Sequence, residues 1–175
     1  MTNDPRYPIG KYEVAPFSQA QKAKWIKDLR DCPKEVEQAI LGLDQTQLNT
    51  PYREGGWKVQ QLVHHIADSH MNAFVRFKLG LTEDVPTIKA YDENKWVSMA
   101  DALDTPVHHS ISILYALHER WANLLESLSE EQWQRKIFHP GRNAELSLWD
   151  LFAVYAWHGK HHVAHITTLR VNKGW

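Results

Sequence analysis

The chain has 175 residues and 43% hydrophobic composition, enough to bury one sizeable core in a single domain spanning 1–175. Its 20 Lys and Arg balance 21 Asp and Glu for a net charge of -1, with no long run of either sign, so it offers no electrostatic footprint for nucleic acid or an anionic membrane surface. The only cysteine, Cys32, excludes an intrachain disulfide. The start M-T-N-D-P-R-Y-P lacks the regions of a signal peptide, and the run L-S-L-W-D-L-F-A-V-Y-A-W is broken by Asp150 well short of a bilayer span, so a soluble cytoplasmic protein is expected.

Residues 1–17, with three prolines and Gly10, predict an extended arm over the surface of the domain. Ser18 and Gln21 have capping-box spacing, and Trp25, Leu29, Cys32, Val36, Ile40 and Leu43 mark one face of a long first helix, which Pro33 should kink or restart. T-P-Y-R-E-G-G-W is turn material. Val59, Leu62, Ile66, Ser69, Ala73 and Phe77 then set out a second helix ending near Gly80. Residues 82–106 carry Pro86 and Pro106 without period and read as a long connection. Ile111, Leu114, Leu117, Trp121, Leu124 and Leu128 form a third stripe, and Ser129 with Gln132 repeats the capping spacing. F-H-P-G-R-N is a turn leading to Ser147, an N-cap with Asp150 in the first turn of the last helix. Four stripes, no convincing alternating strand and no internal repeat predict an all-α four-helix bundle, with room for a crossover in the long connection. The 8 tryptophans fall mostly on apolar faces and are expected to pack the core and its rim.

The 11 histidines are the unusual feature, and four of them lie in H-G-K-H-H-V-A-H, residues 158–165. The apolar stripe of the last helix runs through Leu151, Tyr155, His158, His162, Ile166 and Leu169, which turns His158 and His162 inward. The competing pair, His161 and His165, falls with Val154, Trp157 and Thr168 on a neighbouring, less regular face. Imidazoles four residues apart can converge on one ion, and a third ligand has to come from elsewhere. In V-H-H-I-A-D on the second helix, His65 borders the buried stripe, whereas His64 is rotated about 100° away. His65, His158 and His162 are therefore the candidate metal ligands. Two inward histidines could also ligate haem, but no C-x-x-C-H motif is present. His70, His108, His109, His118 and His139 lack this convergence and read as surface residues or as outer partners of the site. Cys32 reads as packing.

Y-P-I-G-K-Y (7–12), G-G-W-K-V-Q-Q-L-V-H-H-I-A-D-S-H-M-N (55–72), R-F-K-L-G-L-T-E (76–83) and W-H-G-K-H-H-V-A-H-I (157–166) resemble the DinB/YfiT-like metalloenzyme superfamily over nearly the whole chain. The resemblance implies a four-helix bundle of up-down-down-up connectivity, a divalent ion held by three histidines, and a homodimer. Its first ligand precedes a Leu/Ile-Ala pair, here His65 before Ile66 and Ala67, and its H-x-x-x-H pair falls on His158 and His162. In the thiol-dependent isomerase branch an acidic residue can open that pair; here the position is His158, a departure from that branch's pattern.

Three neutral imidazoles leave an ion its full charge and an open position, the arrangement of a catalytic zinc site. One divalent ion per subunit, zinc or nickel, could activate water and make the protein a metal-dependent hydrolase of a small-molecule substrate. It could instead hold a thiolate, as in related S-transferases that use bacillithiol or a similar low-molecular-weight thiol. A non-catalytic metal-binding bundle is a third class. Asp68 and Glu119 are candidates for a general base, and Arg53, Arg76 and Lys78 for holding an anionic thiol. The pattern assigns no catalytic residue beyond the ligands.

Overall fold

The computed structural model describes residues 4–175, so the first three residues of the expected arm lie outside it. Eight helices occur in the described residues: α1 (Gln19–Ile40), α2 (Gln45–Leu48), α3 (Val59–Thr82), α4 (Glu93–Trp96), α5 (Ala100–Asp104), α6 (His108–Glu126), α7 (Glu130–Trp133) and α8 (Leu148–Lys173). The long helices α1, α3, α6 and α8 form the bundle. Ser18 caps α1 by accepting from the Gln21 amide, and Ser147 and Asp150 close a reciprocal capping box on α8.

Packing fixes the directions of the four. The ring of Trp25 near the start of α1 meets Trp149 and Phe152 near the start of α8, and Arg170 at the other end donates to the carbonyls of Ala39 and Leu41, so α1 and α8 are parallel. His64 meets Ser110 and Phe77 meets Trp121, which makes α3 and α6 parallel as well. Lys22 bonds the Glu126 carbonyl while Glu37 accepts from Tyr115, so α1 and α6 run oppositely. The connectivity is up-down-down-up. The two parallel neighbours α3 and α6 are joined by the long connection, into which α4 and α5 are set.

The hydrophobic stripes bury as their spacing requires: Val59, Leu62, Ile66, Ala73 and Phe77 of α3 are all fully enclosed. Pro33 does not end α1, which continues through it to Ile40. The sequence pattern also misses a hairpin. Strands β1 (Lys136–His139) and β2 (Ala144–Ser147) pair antiparallel around the expected turn, and Pro86 and Ile88 of the long connection bond alongside Phe138 of β1. Trp25, Trp121, Trp133 and Trp149 pack one half of the bundle with Phe77 and Phe152. Val36, Leu62, Ile66, Leu114 and Ile166 pack the other half. Between these two apolar halves lies a layer of histidines. No helix among the described residues is long and apolar enough to cross a membrane.

Candidate metal centre

Where α3 faces α8, three ring nitrogens converge. His158 Nε2 lies 3.2 Å from His65 Nε2 and 3.1 Å from His162 Nε2. On α8 the four-residue spacing is slightly more than one turn, so both rings leave the same side of the helix. His65 enters from the opposite wall, 2% exposed and packed at a tilt against Trp57, with 4.7 Å between ring centres. A single lone pair on His158 can accept from one neighbour only, so hydrogen bonding does not close this triangle. Nitrogens bound at ~2.0–2.1 Å to one ion stand roughly 3–3.5 Å apart, which is the spacing of the two sides that meet at His158, and all three ligand atoms lie within 4.8 Å of one another. The donor set therefore fits a divalent cation.

Burial keeps these rings neutral and their lone pairs available. It lowers His65 to about 4 and holds His158 and His162 well below the ordinary imidazole value.

Adjoining the triangle at His162 is a pocket of about 250 Å³ lined by Tyr7, Tyr52, Arg53, Trp57, His161 and His165 as well. Two glycines build its wall. Gly55 adopts φ +64, and a Cβ at Gly56 would press to 2.8 Å from Arg53 Cγ, so the turn folds back with Tyr52 N bonded to the Trp57 carbonyl. The N-terminal arm supplies Tyr7, and its Arg6 carbonyl accepts from His165 Nε2 at 3.3 Å. A wider groove of about 350 Å³ beside α1, lined by Lys22, Lys27, Arg30 and Glu126, brings no imidazoles together.

The remaining singled-out residues divide clearly. His161 and His165 are buried beside His162, with burial taking them to about 3 and about 4. Ligand atoms of His161, His162 and His165 also lie within 4.8 Å of one another, but His165 Nδ1 faces His162 Nδ1, on the far side of that ring from the triangle. His64 points away, bonded to Ser110 Oγ and the Thr105 carbonyl. Arg53 reaches the pocket; Arg76 is buried, donating to Tyr155 and the Lys89 carbonyl, and Lys78 is exposed over Phe74. Glu119 is exposed beside Arg30. Asp68 is half-buried, its carboxyl raised to about 6 by burial and by Asp101, and it does not line the pocket.

Two of the histidines that the sequence leaves as surface residues or outer partners of the site are in the core, and His70 is such a partner. His70 and His118 are 0% and 1% exposed, and His70 Nε2 touches His158 Nδ1 at 3.1 Å. Their signal was present: His70 stands between Ile66 and Ala73, and His118 between Leu114 and Trp121, at helical spacing on the buried stripes.

The DinB superfamily pattern matches residues 28–166, which contain all three converging histidines. A Geobacillus thermodenitrificans protein named "Putative metal-dependent hydrolase" is 49% identical over 176 residues, covering 99% of each chain. A Bacillus cereus protein of the same name is 49% identical over 174 residues, again with 99% of each chain covered. Among solved structures, YfiT from Bacillus subtilis, described as "a probable metal-dependent hydrolase with an unusual four-helix bundle topology", matches with a TM-score of 0.95 at 44% identity over 98% of each chain. The agreement runs through fold, length and family pattern alike, and the chain belongs to the DinB superfamily.

Proposed function

We propose that the protein is a divalent-metal-dependent hydrolase of a small-molecule substrate, with His65, His158 and His162 as the metal ligands. The observation that carries this reading is the triangle of Nε2 atoms beside a pocket of substrate-compatible size. Zinc, or nickel, suits an all-imidazole set. When bound there, such an ion supplies a water whose pKa is brought toward about 7. The chain's own contribution is to keep three lone pairs unprotonated, to wall the site with Tyr52 and Trp57, and to place Arg53 where an anionic substrate group would meet it. The names carried by the relatives from Geobacillus and Bacillus support the same class. The resemblance supports a homodimer.

Arg53 favours a second reading, transfer to or from an anionic low-molecular-weight thiol such as bacillithiol. One experiment separates the two. Zinc-loaded protein is assayed against activated esters and amides without thiol, and against haloaromatic electrophiles with it, alongside metal content. Hydrolysis without thiol, rising through one ionisation near neutrality and lost in His158→Ala, is the expected result. Turnover only with thiol replaces the hydrolase by a transferase. A fully metallated protein inert in both assays makes it a non-catalytic metal-binding bundle.

A further inference from the structure

We infer that His70 and His118 are positioning residues, which hold His158 in its Nδ1–H tautomer and thereby keep its Nε2 lone pair turned to the metal. This rests on the metal-site reading above.

The relay begins at Pro33. In an α-helix the Leu29 carbonyl would accept from the amide of residue 33, and Pro33 has no N–H to give. An unpaired carbonyl inside a bundle is costly. His118 fills the gap, with Nδ1 2.6 Å from the Leu29 oxygen. A carbonyl only accepts, so the proton of neutral His118 sits on Nδ1 and its Nε2 carries a lone pair. That Nε2 is 2.8 Å from His70 Nδ1, which must then be the donor. His70 Nε2 is consequently a lone pair, and it lies 3.1 Å from His158 Nδ1. His158 donates to it, and its own Nε2 is left unprotonated, facing His65 and His162.

Three successive hydrogen bonds thus link a proline in α1 to the free nitrogen of a ligand in α8, by way of α6 and α3. Each link has one polarity only. The rings of Trp121 and Tyr155 pack edge-on against His70, with centres 5.9 and 5.6 Å away, shielding the relay from solvent that could reverse it. His162 is held in the same sense by longer contacts: His165 Nε2 donates to the Arg6 carbonyl, and His165 Nδ1 stands 3.4 Å from His162 Nδ1.

Cys32, His70 and His118 also have donor atoms within 4.8 Å of one another, as a second metal site would. The hydrogen bonds argue against it. Both nitrogens of each ring are already engaged, and burial pushes the Cys32 thiol up to about 12, which keeps it protonated.

The test has two parts. Long-range ¹H–¹⁵N spectra of histidine-labelled wild-type protein, metal-free and zinc-loaded, should show His118, His70 and His158 as Nδ1–H tautomers. His118 or His70 with its proton on Nε2 overturns the relay, and this measurement needs no variant. Zinc affinity is then measured by chelator competition. His70→Leu removes the acceptor for His158 and should weaken zinc binding 10–100-fold. His70→Gln, whose amide oxygen can accept from His158 Nδ1, should recover most of that loss. Wild-type affinity in His70→Leu, or equal losses in both variants, contradicts a hydrogen-bonding role. His65→Ala is the control: if it keeps zinc at wild-type affinity, the metal-site reading has failed, while the tautomers still report on the relay.

Discussion

Gly159 and Cys32 meet across the α1–α8 interface so closely that a Cβ added at Gly159 would fall 2.4 Å from Cys32 Sγ. The same Cβ would stand 3.7 Å from His70 Cε1. Glycine inside a helix ordinarily costs about 1 kcal/mol relative to alanine. Here overpacking wins: Gly159→Ala should destabilise the metal-free protein by about 1–3 kcal/mol in urea denaturation. Adding Cys32→Ala should return part of that loss, a non-additivity expected of contacting residues. A stabilised Gly159→Ala single variant would show that the interface has slack.

Pro33 should be nearly neutral to replace. Proline in a helix interior is about 3 kcal/mol worse than alanine, largely through the lost hydrogen bond and the clash with the preceding turn. In this protein the freed Leu29 carbonyl is already taken by His118, so a new amide at position 33 would have to share its acceptor. Pro33→Ala is expected to change stability by no more than about 1 kcal/mol. A gain near the full helix-propensity difference would mean that the His118 contact contributes nothing.

Metal removal should lower the melting temperature and leave the helices in place. His65 and His158 belong to different helices of a bundle whose two apolar halves are packed independently of any ion. Zinc at 1,000 times its dissociation constant would add about 4 kcal/mol by mass action. Far-UV circular dichroism of the chelated protein is expected to match that of the loaded form at 25 °C, with an earlier thermal transition. A chelated chain without helical signal, or one with an unchanged transition, would contradict this.

Acid should destabilise the metal-free protein. Burial takes His65 and His118 to about 4, against an unfolded value near 6.5. Between those values the unfolded chain binds protons that the folded one refuses. Stability is therefore complete above about pH 6.5 and is lost toward pH 4, at most about 1.4 kcal/mol per pH unit for each such histidine. Asp68, raised to about 6, acts in the opposite sense, because the folded state takes up its proton first. One carboxyl does not offset two buried imidazoles, so the urea midpoint should fall between pH 7.5 and pH 5. A midpoint that holds or rises would show these histidines are not buried neutral.

The sequence made the bundle legible because each stripe repeats over several turns. Burial of Val59, Leu62, Ile66, Ala73 and Phe77 follows directly from that period. β1 and β2 escaped because four residues on either side of a turn are too few to display alternation. On α8 the stripe through His158 and His162 was readable, but the contrast with His161 and His165 was overdrawn: those two are buried as well, because the arm and the Pro51–Lys58 turn cover a face that the helix alone would leave open. His70 and His118 lie on recognised stripes, yet their pairing depends on which helices are neighbours. Periodicity carries no such information. Pro33 was read by its local effect as a helix breaker, while its consequence lies across the bundle, in an imidazole of α6.

The up-down-down-up arrangement has a consequence for how the chain can assemble. α1 contacts α6 and α8, and α3 contacts α6 and α8, so no two successive long helices form an antiparallel hairpin. There is no local two-helix unit to nucleate on. The first productive docking must close a loop across the long connection or bring together helices that are not successive, such as α1 and α8 at opposite ends of the chain, at the entropic cost of non-local contacts. During synthesis α1 therefore waits for partners made later, and α8, which lies against both α1 and α3, is the last to emerge. A chain cut before Leu148 loses that shared partner and two of the three converging histidines in one step.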